Sequence, residues 1–245
     1  MRGIRGSGKS ALWSALQSAA HGPLLRLHEG QPARTMPGFG EQPLPALYPD
    51  PRVLRELLEG YSARDIWTTV VAGQLGLDEP AFEGVWKDRV GWVSANPDRV
   101  SRLLTSRDES PGERRLFLFD ALDRAAPTRR EVSALVRGLL ELLLDLTRYR
   151  SLRGKAFLRP DLLELPGVAA FPDFSKLNAT AVDLRWERVD LYCLLWQRLG
   201  NSVRHGPEFR ASTGDWRPVQ GVYLVPRTLR DETLQRQVFE RMAGR

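Results

Sequence analysis

An α/β fold built on a parallel sheet is the fold class that the sequence predicts, and three observations predict it. The chain opens with a glycine-rich stretch, Gly3 to Ser10, that runs straight into a segment of helical character. Much further on, the strand-like segment Arg115-Leu-Phe-Leu-Phe119, unbroken apolar from Leu116, is closed by Asp120. That is the form of a strand buried on both faces that delivers a carboxylate to its C-terminal edge. Elsewhere, short apolar runs alternate with stretches of helical spacing. At 245 residues the chain is long enough for one sizeable core with a small second unit.

Gly3 to Ser10 fits the phosphate-binding pattern G-x-x-x-x-G-K-[ST]. Small residues at Gly6, Ser7 and Gly8 let the backbone curl so that successive N–H groups converge on phosphate oxygens. Lys9 adds an ammonium for the β- and γ-phosphates, and the Ser10 hydroxyl is placed to coordinate Mg²⁺. The segment from Ala11 to Ala20 reads as a helix whose positive end faces the same anion. Gly3, Gly6, Ser7, Gly8, Lys9, Ser10 and Ala11 are therefore the expected nucleotide-binding set. The plain alternative is a Gly/Ser-rich terminus that matches the pattern by composition. Only Met1 and Arg2 precede Gly3, so either the true start is expected upstream and this chain is clipped, or the central strand from which such a loop hangs is expected to be missing.

After the first helix, Leu24-Leu-Arg-Leu-His28 reads as a second strand. Pro32, Pro37, Pro43, Pro45, Pro49 and Pro51, with Gly30, Gly38 and Gly40, then predict a long exposed loop. Pro51 starts a helix with Val53, Leu54, Leu57 and Leu58 on one face. Ser62 caps another, with Ile66, Trp67, Val70, Val71 and Leu75 as a core stripe. Residues from about 51 to 107 read as a helical insertion. A charged loop from Arg107 leads to the strand ending at Asp120. A buried helix follows from about Arg130 to Arg150, then a short strand over Gly154–Asp161 and another over Ala181–Trp186. The chain closes with a helix from Glu187 to Gly200, a Gly-rich segment, the apolar Val222–Val225 and a polar helix from Asp231 to Met242.

Composition narrows the function classes. Hydrophobic residues make up 42% and charged residues 27%, as in ordinary globular proteins. The single cysteine, Cys193, excludes an internal disulfide and suits a reducing cytoplasm. It sits in an apolar helical run, as a packed thiol rather than a nucleophile. Val132 to Leu146 is interrupted by Arg137, Glu141 and Asp145 and is too short for a bilayer. The net charge of +6 comes from scattered arginines interleaved with acids rather than from a basic arm, which gives weak support to nucleic acid as a partner. His21, His28 and His205 show no metal-ligand spacing. No G-x-S-x-G elbow is present.

Taken together, the glycine loop and the late apolar strand ending in Asp resemble the P-loop ATPases that carry an extra strand between the two motifs. Phe119-Asp-Ala-Leu-Asp-Arg124 is similar to the D-x-x-D-R stretch of the KAP and STAND-type ATPases, relatives of the AAA+ proteins. The resemblance spans roughly residues 3–28 and 115–200. It implies a three-layer P-loop NTPase sheet over residues 1–185 and a C-terminal helical lid over 186–245. It also implies ATP and Mg²⁺ as cofactors, Ser10 and Asp120 holding the metal, and Lys9 clamping phosphate. Asp123 would orient water, and Arg159 or Arg124 would sense the γ-phosphate or act across a subunit interface. Each arginine also has the reading of a surface ion pair. Arg227 after Pro226 is a candidate second sensor. Ala121 departs from the many AAA+ proteins that carry a Glu there.

The expected function is slow Mg-dependent ATP hydrolysis serving as a cytoplasmic regulatory switch, acting on a protein partner or in a homo-oligomer. A P-loop kinase is one alternative, and a degenerate ATPase serving only as an interaction module is another. The absence of an N-K-x-D motif favours ATP over GTP.

Overall fold

The computed structural model describes residues 1–18, 33–110, 114–219 and 221–242. It divides into two compact units, Met1–Leu184 and Arg185–Arg245. The first unit is α/β. After α1 (Lys9–Gln17) comes β1 (Ala33–Phe39), then α2 (Pro51–Leu58), α3 (Ala63–Gln74), α4 (Trp86–Ala95) and α5 (Pro97–Glu109). These lead to β2 (Arg114–Phe119), α6 (Arg129–Leu146), β3 (Leu152–Ala156), α7 (Pro160–Leu163) and α8 (Phe174–Ala179).

The strands form a parallel sheet in the order β1-β2-β3. The unbroken apolar run of β2 is explained by burial on both faces. Leu116 and Leu118 pack with Trp13 and Leu16 of α1, and Phe157 joins them. Phe117 and Phe119 belong to the larger cluster on the other face, with Trp67 of α3 and Leu135, Val136 and Leu139 of α6. Trp67 lies at its centre. It is fully buried, donates from Nε1 to the Leu135 carbonyl at 2.8 Å, and meets Phe39 and Phe119 edge-on.

Local chemistry sets the helix starts. Asp50 accepts the N–H groups of Arg52 and Val53, each at 2.9 Å, with Pro51 at the first helical position. Ser62 accepts the N–H of Asp65 at 3.0 Å to start α3. Thr128 and Glu131 form a reciprocal capping box for α6.

Several expectations change. Residues 33–39, read as an exposed loop, are a strand. Among the described residues β1 pairs on one side only, with β2, which leaves room for Pro37, and the pairing shifts between Pro37 and Phe39. Gly38 is required there, since a Cβ would lie 2.4 Å from the Phe119 ring. The strand expected at Leu24–His28 lies outside the described residues. The strand expected over Gly154–Asp161 begins and ends earlier, because Arg159 is already the cap of α7 and Pro160 its first residue.

The missing first strand is also revised. Arg2 bridges Leu158 on one side and Asp183 on the other, both in parallel. Leu158 N donates to Met1 O at 2.9 Å and Gly3 N to Leu158 O at 3.0 Å, while Arg2 N donates to Val182 O at 2.8 Å and Leu184 N to Arg2 O at 2.7 Å. Met1–Gly3 thus occupies a strand position beyond β3, because neighbours on both sides satisfy its backbone. The strand expected over Ala181–Trp186 contracts to this pairing around Asp183.

The second unit contains α9 (Arg188–Gly200), α10 (Gly206–Thr213), the antiparallel pair β4 (Arg217–Val219) and β5 (Val222–Leu224), and α11 (Glu232–Met242). Trp196, Val225, Leu229 and Val238 form its core. Gln197 ties β5 to α9 by accepting the Val225 N–H at 2.9 Å and donating to Tyr223 O at 2.6 Å. Among the described residues, no helix is long and apolar enough to cross a membrane.

Candidate functional site

A cleft of about 420 Å³ opens at the C-terminal ends of the strands, where loops of a parallel sheet usually carry ligands. Gly6, Gly8, Lys9, Ser10 and Ala11 line it from the loop and α1, Asp120, Asp123 and Arg124 from the exit of β2, Arg159 from the exit of β3, and Glu41 from the exit of β1. A larger hollow of about 510 Å³ lies by the starts of β2 and β3, among Arg114, Arg115, Arg153 and Lys155. None of the candidate site residues borders it, so the chemistry is assigned to the smaller cleft.

The loop gets its shape from two glycines in the left-handed region, Gly6 at φ 82° and Gly8 at φ 86°. An L side chain is strained at both. Gly8 is also the cap residue of α1, whose first turn contains no acidic side chain. The first-turn N–H groups of Lys9, Ser10 and Ala11 have no partner inside a helix, and these residues line the cleft. The positive helix end is therefore available to an anion there. Lys9 folds back over its own loop, donating to the carbonyls of Gly3 at 2.7 Å and Ile4 at 2.9 Å. Gly3 and Ser7 are buried behind this surface and do not line the cleft. A Cβ on Gly3 would lie 2.2 Å from Ser7 Oγ, which itself has no hydrogen-bond partner among the described residues.

The acids of the cleft differ in how they are engaged. Asp120 is only 3% exposed, yet its carboxylate makes no hydrogen bond or ion pair among the described residues. Its backbone N–H donates to Phe39 O at 3.0 Å, which ties the exits of β1 and β2 together. Ala121 then takes a left-handed conformation at φ 57°, turning the chain into the short helix Leu122–Arg124. Asp123 accepts from Arg159 Nη1 at 3.3 Å. Arg159 also grips both oxygens of Asp161, at 2.9 and 2.8 Å. The Asp161 hydrogen bonds and charge, helped by those of Asp123 and only partly offset by burial, raise the guanidinium's pKa from its ordinary value. Glu41 and Arg124 form an ion pair across the mouth.

The fold thus brings Gly6, Gly8, Lys9, Ser10, Ala11, Asp120, Asp123 and Arg159 to one cleft from three separate stretches of chain. Arg227 belongs to the second unit, at the start of the short helix Arg227–Arg230. Glu41 is the residue that sequence reasoning missed. It stands two residues past the end of a strand disguised by Pro37 and Gly38, and an acid at a strand exit was the one available signal. Among the described residues, no group of three or more His, Cys, Asp or Glu side chains is placed to hold a metal by itself. A hard cation here would draw on the Asp120 carboxylate, the Ser10 hydroxyl and the oxygens of a bound anion. The unengaged, nearly buried carboxylate fits that chemistry.

No protein-family model, curated protein sequence or solved structure matches this chain.

Proposed function

We propose that the cleft binds ATP with Mg²⁺ and that the chain is a slow ATPase of the AAA+, STAND and KAP type, used as a regulatory switch. The observation that carries this reading is the shared cleft of Lys9, Ser10 and the Asp120 carboxylate, which has no partner among the described residues, set at the end of a helix dipole. Support also comes from the order of the sheet, in which the segment leading into the loop lies beside β3 and the Asp120 strand one place further on.

Each residue then has a task. The glycine loop and the first turn of α1 offer N–H donors to phosphate oxygens. Lys9 exchanges the neutral carbonyls of Gly3 and Ile4 for the β- and γ-phosphates, which are stronger partners because they carry the opposite charge. Ser10 and Asp120 hold the cation, which when bound neutralises charge on the phosphates. Asp123, expected from the resemblance to orient water, is already bonded to Arg159 and is assigned to holding that arginine at the cleft wall. Slow turnover follows from a cleft whose outer acids are tied up in ion pairs.

The test is equilibrium binding of ATP by calorimetry, with and without Mg²⁺, for wild type and Lys9→Ala. Lys9→Ala is expected to weaken binding about 30-fold, equivalent to about 2 kcal/mol for one charge-assisted contact. Indistinguishable binding by the two proteins removes the proposal.

A further inference from the structure

We propose that Glu41 is the acid that orients and deprotonates the attacking water, and that its ion pair with Arg124 withholds it from that task until the pair opens. This rests on the nucleotide reading above. It is carried by where Glu41 stands. Phe39 and Phe119 are register partners, and Phe39 O accepts the Asp120 N–H at 3.0 Å. The chain therefore leaves β1 through Gly40 and Glu41 alongside Asp120 leaving β2, one strand spacing of about 4.8 Å away. Gly40 is pinned as well, since a Cβ there would lie 2.5 Å from the ring of Trp13. Trp13 belongs to α1, the helix that carries Lys9 and Ser10. The backbone next to Glu41 is thus fastened both to the helix that would hold phosphate and to the strand that would hold the cation.

The other acids are committed. Asp120 is assigned to the cation, and Ala121 after it has no acid to offer. Asp123 is bonded to Arg159, and with it borders a separate hollow beside α6 and α7 as well as the cleft. Glu41 does not border that hollow. Its side chain and that of Arg124 are each 61% exposed, so the pair between them is weakly held and opens readily.

In the step itself, the Glu41 carboxylate takes one proton from water as the water oxygen bonds to the γ-phosphorus. The bond from that phosphorus to the β–γ bridging oxygen breaks, its electron pair staying on ADP, and the proton passes from Glu41 to the departing phosphate or to solvent.

The experiment measures single-turnover hydrolysis of Mg·ATP and, separately, equilibrium ATP affinity, for wild type, Glu41→Gln, Arg124→Gln and the double variant. Glu41→Gln is expected to slow hydrolysis about 100-fold or more, while ATP affinity stays within about threefold or tightens, since a negative charge has left an anion site. Arg124→Gln is expected to speed hydrolysis up to about fivefold, the most a surface pair withholds, and to do nothing in the Glu41→Gln background. Hydrolysis by Glu41→Gln within threefold of wild type overturns the assignment while leaving ATP binding, and its dependence on Lys9, intact. An Arg124→Gln effect that persists without Glu41 overturns the withholding pair. Failure of the wild type to bind ATP removes the nucleotide reading and this inference together.

Discussion

Replacing Asp120 with Asn separates a carboxylate kept for a ligand from one kept for the fold. The Asp120 carboxylate is buried to all but 3% and makes no hydrogen bond or ion pair among the described residues, so the substitution removes no interaction that holds the protein together. Asp108 supplies the contrast. It accepts the Ser151 N–H at 2.5 Å and the Ser151 hydroxyl at 2.7 Å, fastening the end of α5 to the start of β3. Hydrogen bonds to a charged acceptor contribute about 1.5–3 kcal/mol, and partial exposure brings the expected loss for Asp108→Asn to about 1–2 kcal/mol. For Asp120→Asn the expected change lies between zero and a gain of about 1 kcal/mol, the usual balance at a site kept for function. Urea unfolding reads both numbers. Calorimetry of ATP with and without Mg²⁺ reads the other half: Asp120→Asn loses the Mg²⁺ dependence by at least about tenfold, the lower end of what loss of even an outer-shell group costs. Asp108→Asn leaves it unchanged. A loss of more than about 1 kcal/mol of stability in Asp120→Asn would make that carboxylate a structural group and refute the reasoning.

Other outcomes follow from the same contacts. Burial raises the Asp108 pKa, but the backbone N–H groups of Ser151 and Arg150 and the Ser151 hydroxyl outweigh it, so the folded value lies below the ordinary one. Its contribution is therefore present above the unfolded carboxylate pKa of about 3.9 and is lost as pH falls through the lower folded value. The stability gap between wild type and Asp108→Asn should close over that acid range in urea titrations. Trp67→Ala removes the ring that supports both Phe39 and Phe119 and should cost about 3–5 kcal/mol, measured in the same way. Gly8→Ala places a Cβ at φ 86° and should cost about 1–2 kcal/mol while weakening ATP binding by calorimetry, because the amides it would displace are the proposed phosphate donors. The Cys193 thiol, its pKa raised chiefly by burial, should react with maleimide at neutral pH more slowly than a free thiol in a peptide.

Much of this was legible in the chain alone, because its causes are local. An unbroken apolar run closed by an acid has few uses other than a doubly covered strand, and β2 is one. Pro51 after Asp50, and Ser62 before a stripe of apolar residues, mark helix starts through contacts spanning three or four residues. The glycine loop is legible for the same reason, since Gly6 and Gly8 adopt backbone angles that other residues resist. Tertiary structure decided the rest. Residues 33–39 look like a loop until pairing with β2, on one side only among the described residues, accommodates Pro37 and the Phe119 ring requires Gly38. Arg2 takes a bridging place in the sheet because two distant segments, at Leu158 and Asp183, supply its partners. Glu41 reaches the cleft only through the pairing of Phe39 with Phe119, eighty residues apart in the chain. Sequence periodicity and capping report a residue's neighbours along the chain, whereas a parallel sheet assembles its edge from residues that meet only after the core has closed.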